Sequence, residues 1–139
     1  MGFTMIELMM AIIILGILST AAIPSFRSLI AEQRIKTASF DLISMLSMAR
    51  SEAIKRGANV SIAASSSFFT VTAPDGTVLL KQEMPAGITF TGGSAVVYNS
   101  SGRLNTAFTP VQLSSAASTS MRCISIDLSG RPNSKKAAC

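Results

Sequence analysis

From Leu8 to Phe26 the chain runs nineteen residues without a charged side chain, and the residue just before that run is a carboxylate, Glu7. As a helix rising ~1.5 Å per residue the run is ~28 Å long, close to the ~30 Å hydrocarbon thickness of a bilayer. A segment of this length and composition is a candidate membrane-crossing helix. Its main rival is a cleaved secretory signal peptide, because Ser19-Thr20-Ala21 has the small side chains of a cleavage site, which would leave a chain starting at Ala22. No basic residue precedes the apolar run, and Glu7 stands near its start; both features argue against a signal peptide.

Glu7 is the most informative residue. A charge at the bilayer centre costs at least ~2.5–3.5 kcal/mol for Asp, Lys or Arg, so ionisable residues in such segments are rare and usually functional. Thr4-Met5-Ile6-Glu7 also matches a capping box, in which Glu7 closes back on the Thr4 backbone. The box explains why a carboxylate is tolerated there. It does not explain why an otherwise unbroken apolar helix opens with Gly2-Phe3-Thr4 and then an acid.

Gly2-Phe3-Thr4-Met5-Ile6-Glu7-Leu8, followed by about twenty apolar residues and Ile23-Pro24, resembles the prepilin motif of type IV pilins and type II secretion pseudopilins, usually written GFTLIEL. Only Met5 departs from it. The resemblance implies cleavage between Gly2 and Phe3 by a prepilin peptidase and methylation of the new Phe3 amine. It also implies that Glu7 attracts the amine of a neighbouring subunit during assembly. Physically, a carboxylate and an ammonium stranded in apolar surroundings lower each other's desolvation cost by meeting. Family leaders usually carry basic residues, and here only Met1-Gly2 precede the cut, so residues 1–2 are expected to be the remnant of a leader.

Residues 3–26 are then the apolar stem, with Pro24 expected to kink or locally open the helix. Residues 27–57 read as its amphipathic continuation. Ile35, Ala38, Leu42, Met45, Leu46, Ala49 and Ala53 recur at helical steps, with Arg34, Lys36, Asp41, Arg50 and Glu52 between them. Lys55 and Arg56 suit the negative end of a helix, and Gly57 its C-cap. Residues 58–139 read as a β-rich head, with strands at Ala58–Ala64, Phe68–Ala73, Thr77–Glu83, Ile88–Thr91, Ala95–Tyr98, Val111–Ser114 and Arg122–Leu128. Pro74-Asp75-Gly76 and Gly92-Gly93 are the predicted hairpin turns, and Ser100-Ser101-Gly102 ends a strand. The expected class is α+β, a long N-terminal helix packed on antiparallel sheets in a type IV pilin-like fold.

A second resemblance is narrower. Ala49-Arg50-Ser51-Glu52-Ala53-Ile54-Lys55-Arg56-Gly57 is similar to the helix end of the GspH/FimT family of minor pilins and pseudopilins, and the segments 99–103 and 122–131 fit its C-terminal half. The implied partners are other major and minor pilins or pseudopilins, the prepilin peptidase and an inner-membrane platform protein. The implied location is the bacterial inner membrane, single-pass with a periplasmic head, and then a pilus or pseudopilus. Cys123 and Cys139 are the only cysteines. Paired, they would close a loop worth ~3 kcal/mol in the chain-entropy model and imply an oxidising compartment; two unpaired buried thiols are the alternative.

The formal charge is +5, and between Arg103 and Cys139 five basic residues face one acid, Asp127. Such a tail attracts polyanions or simply keeps a face solvated. The FimT branch of the family binds DNA through a Gly-Arg-x-Arg element. The matching stretch here is Gly130-Arg131-Pro132-Asn133, lacking the second Arg, with Lys135 and Lys136 beyond it. Arg131, Lys135 and Lys136 are therefore candidate contacts to duplex DNA, gathered into one loop if the cysteines pair. An enzyme is the remaining class. The chain has no His, the commonest general base and a frequent metal ligand, and no nucleophile elbow, Walker A or paired-Cys metal motif. No cofactor or metal is expected.

Overall fold

The computed structural model describes residues 2–65, 67–93 and 95–139. A single helix, α1 (Met5–Arg56), carries the N-terminal part of the chain. It is helical without interruption across position 24, so Pro24 neither ends nor splits it. At its far end Lys55 and Arg56 occupy the last turn. Gly57 closes it in the left-handed region (φ 63°), its N–H directed to the Ala53 and Ile54 carbonyls.

The amphipathic half packs as its spacing demands. Ile35, Ala38, Leu42, Met45, Leu46, Ala49 and Ala53 are all buried, joined by Ala31 and Ser39. Ala49 and Ala53 are fully enclosed, and their small side chains let the strands approach the helix backbone. Ser39 is the one buried polar residue among those described, and its hydroxyl is satisfied by Ser134 Oγ at 2.8 Å.

Eight strands follow: β1 (Val60–Ala64), β2 (Phe68–Thr72), β3 (Val78–Glu83), β4 (Thr89–Gly92), β5 (Val96–Tyr98), β6 (Val111–Ser115), β7 (Ser118–Ile126) and β8 (Pro132–Lys135). They form two four-stranded sheets, in the orders β3-β2-β1-β5 and β4-β6-β7-β8, with every pairing antiparallel. Both sheets pack on α1, and they meet each other where Phe69 of β2 stands 5.2 Å from Phe90 of β4, ring centre to ring centre. The α+β class and the pilin-like arrangement are those expected.

Three local expectations are corrected. Gly92-Gly93 is no hairpin: β4 pairs with β6 and β5 with β1, so this segment passes from one sheet to the other. The strand expected over Arg122–Leu128 is β7, which begins at Ser118 because a polar run there pairs back on β6. It ends before Asp127, whose carboxylate instead captures turn amides. Strand β8 was not anticipated, because Pro132-Asn133-Ser134-Lys135 has little β-propensity. It exists as an edge strand with its Pro at the first position, where no ladder N–H is required.

Tyr98 is fully buried, and its hydroxyl has no hydrogen-bond partner among the described residues. Burial pushes the phenol up to about 12. An unpartnered buried hydroxyl costs ~1–3 kcal/mol, so Tyr98→Phe is expected to hold or raise stability at neutral pH. The alkaline limb should change too. Above about pH 10 the unfolded phenol ionises while the folded one stays protonated, so the parent loses stability as pH rises. Denaturant melts at pH 7 and pH 11 test this: the variant should lack that part of the alkaline loss.

Candidate assembly stem and basic tail

At the N-terminus Thr4 is the helix cap, with extended backbone (φ −83°, ψ 152°). Its Oγ1 accepts from the Glu7 N–H at 3.3 Å, while Glu7 Oε2 accepts from the Thr4 N–H at 3.0 Å and from Thr4 Oγ1 at 2.9 Å. The capping box is therefore formed. It engages only one carboxylate oxygen: Oε1 has no hydrogen bond among the described residues. The cap and a contact to a further donor are thus compatible, and the box fixes where the free oxygen stands.

Phe3, Met5, Ile6 and Leu8 are exposed, as is every described apolar side chain of the stem. The helix is long and apolar enough to cross a membrane, and its most apolar stretch has no protein packed on it. Two mid-stem hydroxyls are satisfied within the helix: Ser19 Oγ donates to the Leu15 carbonyl at 2.8 Å and Thr20 Oγ1 to the Ile17 carbonyl at 2.7 Å. Such back-bonding is what a polar side chain needs when no water is at hand. Glu7 is the one charged side chain in residues 3–26.

At the other end, Cys123 and Cys139 are joined in a disulfide, with Cα atoms 5.0 Å apart. The bridge ties the last residue across the face of the second sheet, where the Cys139 N–H donates to Gln112 Oε1 at 3.2 Å. The loop it closes contains the three candidate cations, each with its own neighbours. Lys136 Nζ is 2.6 Å from Glu32 Oε1 on α1, pinning the tail to the helix. The Lys136 hydrogen bond, and then its charge, hold the Glu32 carboxyl below the usual range. Lys135 closes β8 opposite Cys123, and Arg131 lies at that strand's other end, in the turn before it.

Arg131 instead belongs to a pair of matched turns that the sequence reading did not connect. Asn99-Ser100-Ser101-Gly102-Arg103 and Asp127-Leu128-Ser129-Gly130-Arg131 share the ending Ser-Gly-Arg, which is the signal that would have revealed them. In the first, Asn99 Oδ1 accepts from the Ser101 and Arg103 N–H groups at 2.9 and 3.1 Å. In the second, Asp127 Oδ1 accepts from those of Ser129 and Arg131 at 2.9 and 2.8 Å. Gly102 and Gly130 both take positive φ (71° and 81°). The turns touch so closely that a side chain at Gly130 would run into the Gly102 carbonyl. Arg50, from α1, links them, donating from Nε to the Gly102 carbonyl and from Nη2 to the Ser129 carbonyl, each at 3.0 Å. Ser129 and the Arg131 N–H also hold the Asp127 carboxyl low. Gly130 thus lies against the backbone of Gly102 and Arg103, and Arg103 and Arg131 are both exposed. Among the described residues no cluster of His, Cys, Asp and Glu could hold a metal ion.

Comparison with known proteins fits this geometry. Two crystal structures of the type IV minor pilin FimU from Pseudomonas aeruginosa share the fold. One superposes with a TM-score of 0.61 at 22% identity, covering 72% of this chain and 91% of that one. The other, in a different crystal form, gives 0.62 at 20% identity, covering 75% and 90%. No curated protein matches the sequence. Residues 2–23 match the prokaryotic N-terminal methylation motif. Residues 38–130, the packed helix half and most of the head, match the family of type II transport protein GspH, and the chain belongs to that family.

Proposed function

We propose that this protein is a non-enzymatic minor subunit of a type IV pilus or type II secretion filament, and that it primes the fibre or sits at its tip. Residues 3–26 hold it in the inner membrane with the head on the periplasmic side. A prepilin peptidase cuts between Gly2 and Phe3 and methylates Phe3. An inner-membrane platform protein and neighbouring pilins or pseudopilins then receive the stem. The observation that carries this reading is the continuous α1, whose unpartnered apolar half bears a single carboxylate with one oxygen unoccupied. Leaving lipid, such a rod loses nothing by packing against other apolar rods. The Glu7 oxygen, meeting a neighbour's N-terminal ammonium, sets the axial register. The disulfide suits a head that matures outside the cytoplasm.

The mature protein is expected to begin at methylated Phe3 in mass spectra; a chain starting at Ala22 would mean a plain secreted domain. Breaking a buried ion pair costs ~3–5 kcal/mol, so Glu7→Ala is expected to cut incorporation into filaments by ~tenfold or more. Incorporation equal to the parent would reject the role assigned to Glu7.

A second reading is that the subunit contacts duplex DNA during uptake, through Arg131 with Lys135 and Lys136. What favours it is the exposed Arg131 in a turn closed by Asp127 and packed on the turn that carries Arg103; Lys136 is drawn toward Glu32 and contributes least. Such contact would be independent of sequence and weaken steeply with salt. The detergent-solubilised chain should retard duplex DNA at low salt, and Arg131→Ala with Lys135→Ala and Lys136→Ala should abolish this. Equal retardation by parent and triple variant would end the idea.

A further inference from the structure

Just above the apolar stem the head overhangs α1 and leaves a groove of about 280 Å³, room for about nine waters at ~30 Å³ each. Arg27, Ile30, Ala31 and Arg34 of the helix form one wall, and Ala86 and Gly87, before β4, form part of the other. The floor is apolar at Ile30 and Ala31, and the cations are two guanidinium groups. Arg27 has neither an ion pair nor a hydrogen bond among the described residues. Arg34 makes one hydrogen bond, from Nη1 to the Ala86 carbonyl at 3.2 Å, and no ion pair; the three ion pairs among those residues involve other cations. Most of the five donors on each fork therefore remain available.

We infer that this groove holds the phosphate of a membrane phospholipid while the subunit waits in the bilayer. The inference rests on the membrane-spanning reading of residues 3–26 and adds a ligand to it. Three observations support the lipid. The first is depth. Arg27 directly follows the apolar run, and Arg34 is seven residues, ~10 Å of helix, further on. The headgroup layer occupies ~5–8 Å beyond the hydrocarbon on each side. Helical side chains lean toward the N-terminus, which here is toward the membrane, so both cations fall at or just above the headgroups.

The second is charge complementarity. Planar forks match phosphate oxygens in a bidentate way, and no carboxylate is ion-paired to either. The third is continuity: the apolar floor at Ile30 runs into the exposed Phe26 and Leu29 and so into the stem, giving acyl chains a path away from the phosphate. The bound lipid orients the head over the membrane and must leave when a neighbouring subunit covers the same helix face.

The test uses the full chain purified in a maltoside detergent and native mass spectrometry with added phosphatidylglycerol, diacylglycerol or inorganic phosphate. The parent should retain one phosphatidylglycerol and neither of the others. Arg27→Gln with Arg34→Gln should weaken retention at least ~tenfold, as expected for removing two cations at a headgroup surface. Arg103→Gln with Arg131→Gln, the same change of charge far from the groove, should leave it unchanged. Equal retention by the groove variant, equal loss in the distant variant, equal retention of diacylglycerol or of free phosphate, or a protein dimer in place of the lipid adduct would each overturn the inference. Flotation of the same proteins with liposomes separates the two levels. A parent that fails to float removes the membrane reading itself, whereas one that floats without the lipid adduct removes only the groove.

Discussion

Burial of one stripe of α1 beneath two antiparallel sheets is the contact on which the rest of this structure depends. Ile35, Leu42, Met45, Leu46, Ala49 and Ala53 give up nearly all contact with water, and together such side chains supply the apolar burial that offsets the entropy of ordering the head. Because the helix is continuous from Met5 to Arg56, fixing its second half also orders the place from which the first half projects. The stem has no packing of its own to hold it. One element thus has two unlike halves, one packed in protein and one apolar and unpacked.

Polar links tie the head together in addition to its apolar core. Arg50 reaches from the buried helix to two turns twenty-eight residues apart and bonds a carbonyl in each. Each turn is closed by its own Asn or Asp side chain. The disulfide and the Lys136–Glu32 pair then fasten the C-terminal tail to sheet and helix respectively. These ties differ in kind. The Lys136–Glu32 pair is solvent-exposed and of small energetic value, whereas the disulfide restricts the unfolded chain whatever the salt. The distribution has a consequence for charge: Lys136 is paired to the helix, and within residues 58–139 the exposed arginines are Arg103 and Arg131 on the matched turns.

Much of this was legible without coordinates. The apolar run, the Thr4–Glu7 box, the helical stripe and the Gly57 cap are all local signals, set by periodicity and by neighbours three or four residues away. The strands with strong alternation, such as Phe68–Thr72, were equally plain. Strand β8 was not, because its polar residues become a strand only through pairing with β7. Gly92-Gly93 misled for a similar reason: a flexible pair permits a hairpin, but partners elsewhere in the chain drew β4 and β5 into different sheets.

The amino-acid order by itself determined that this chain has a membrane-length apolar rod with an acid near its tip, an amphipathic continuation and a β-rich remainder, since each follows from side-chain chemistry over short spans. Only the tertiary structure decided which turns meet. The turn that carries Arg131 lies against the turn that carries Arg103, because a close backbone approach at Gly102 and Gly130 and the reach of Arg50 bring distant segments together. Contacts of that kind depend on how sheets pack over a helix, and no local pattern encodes them.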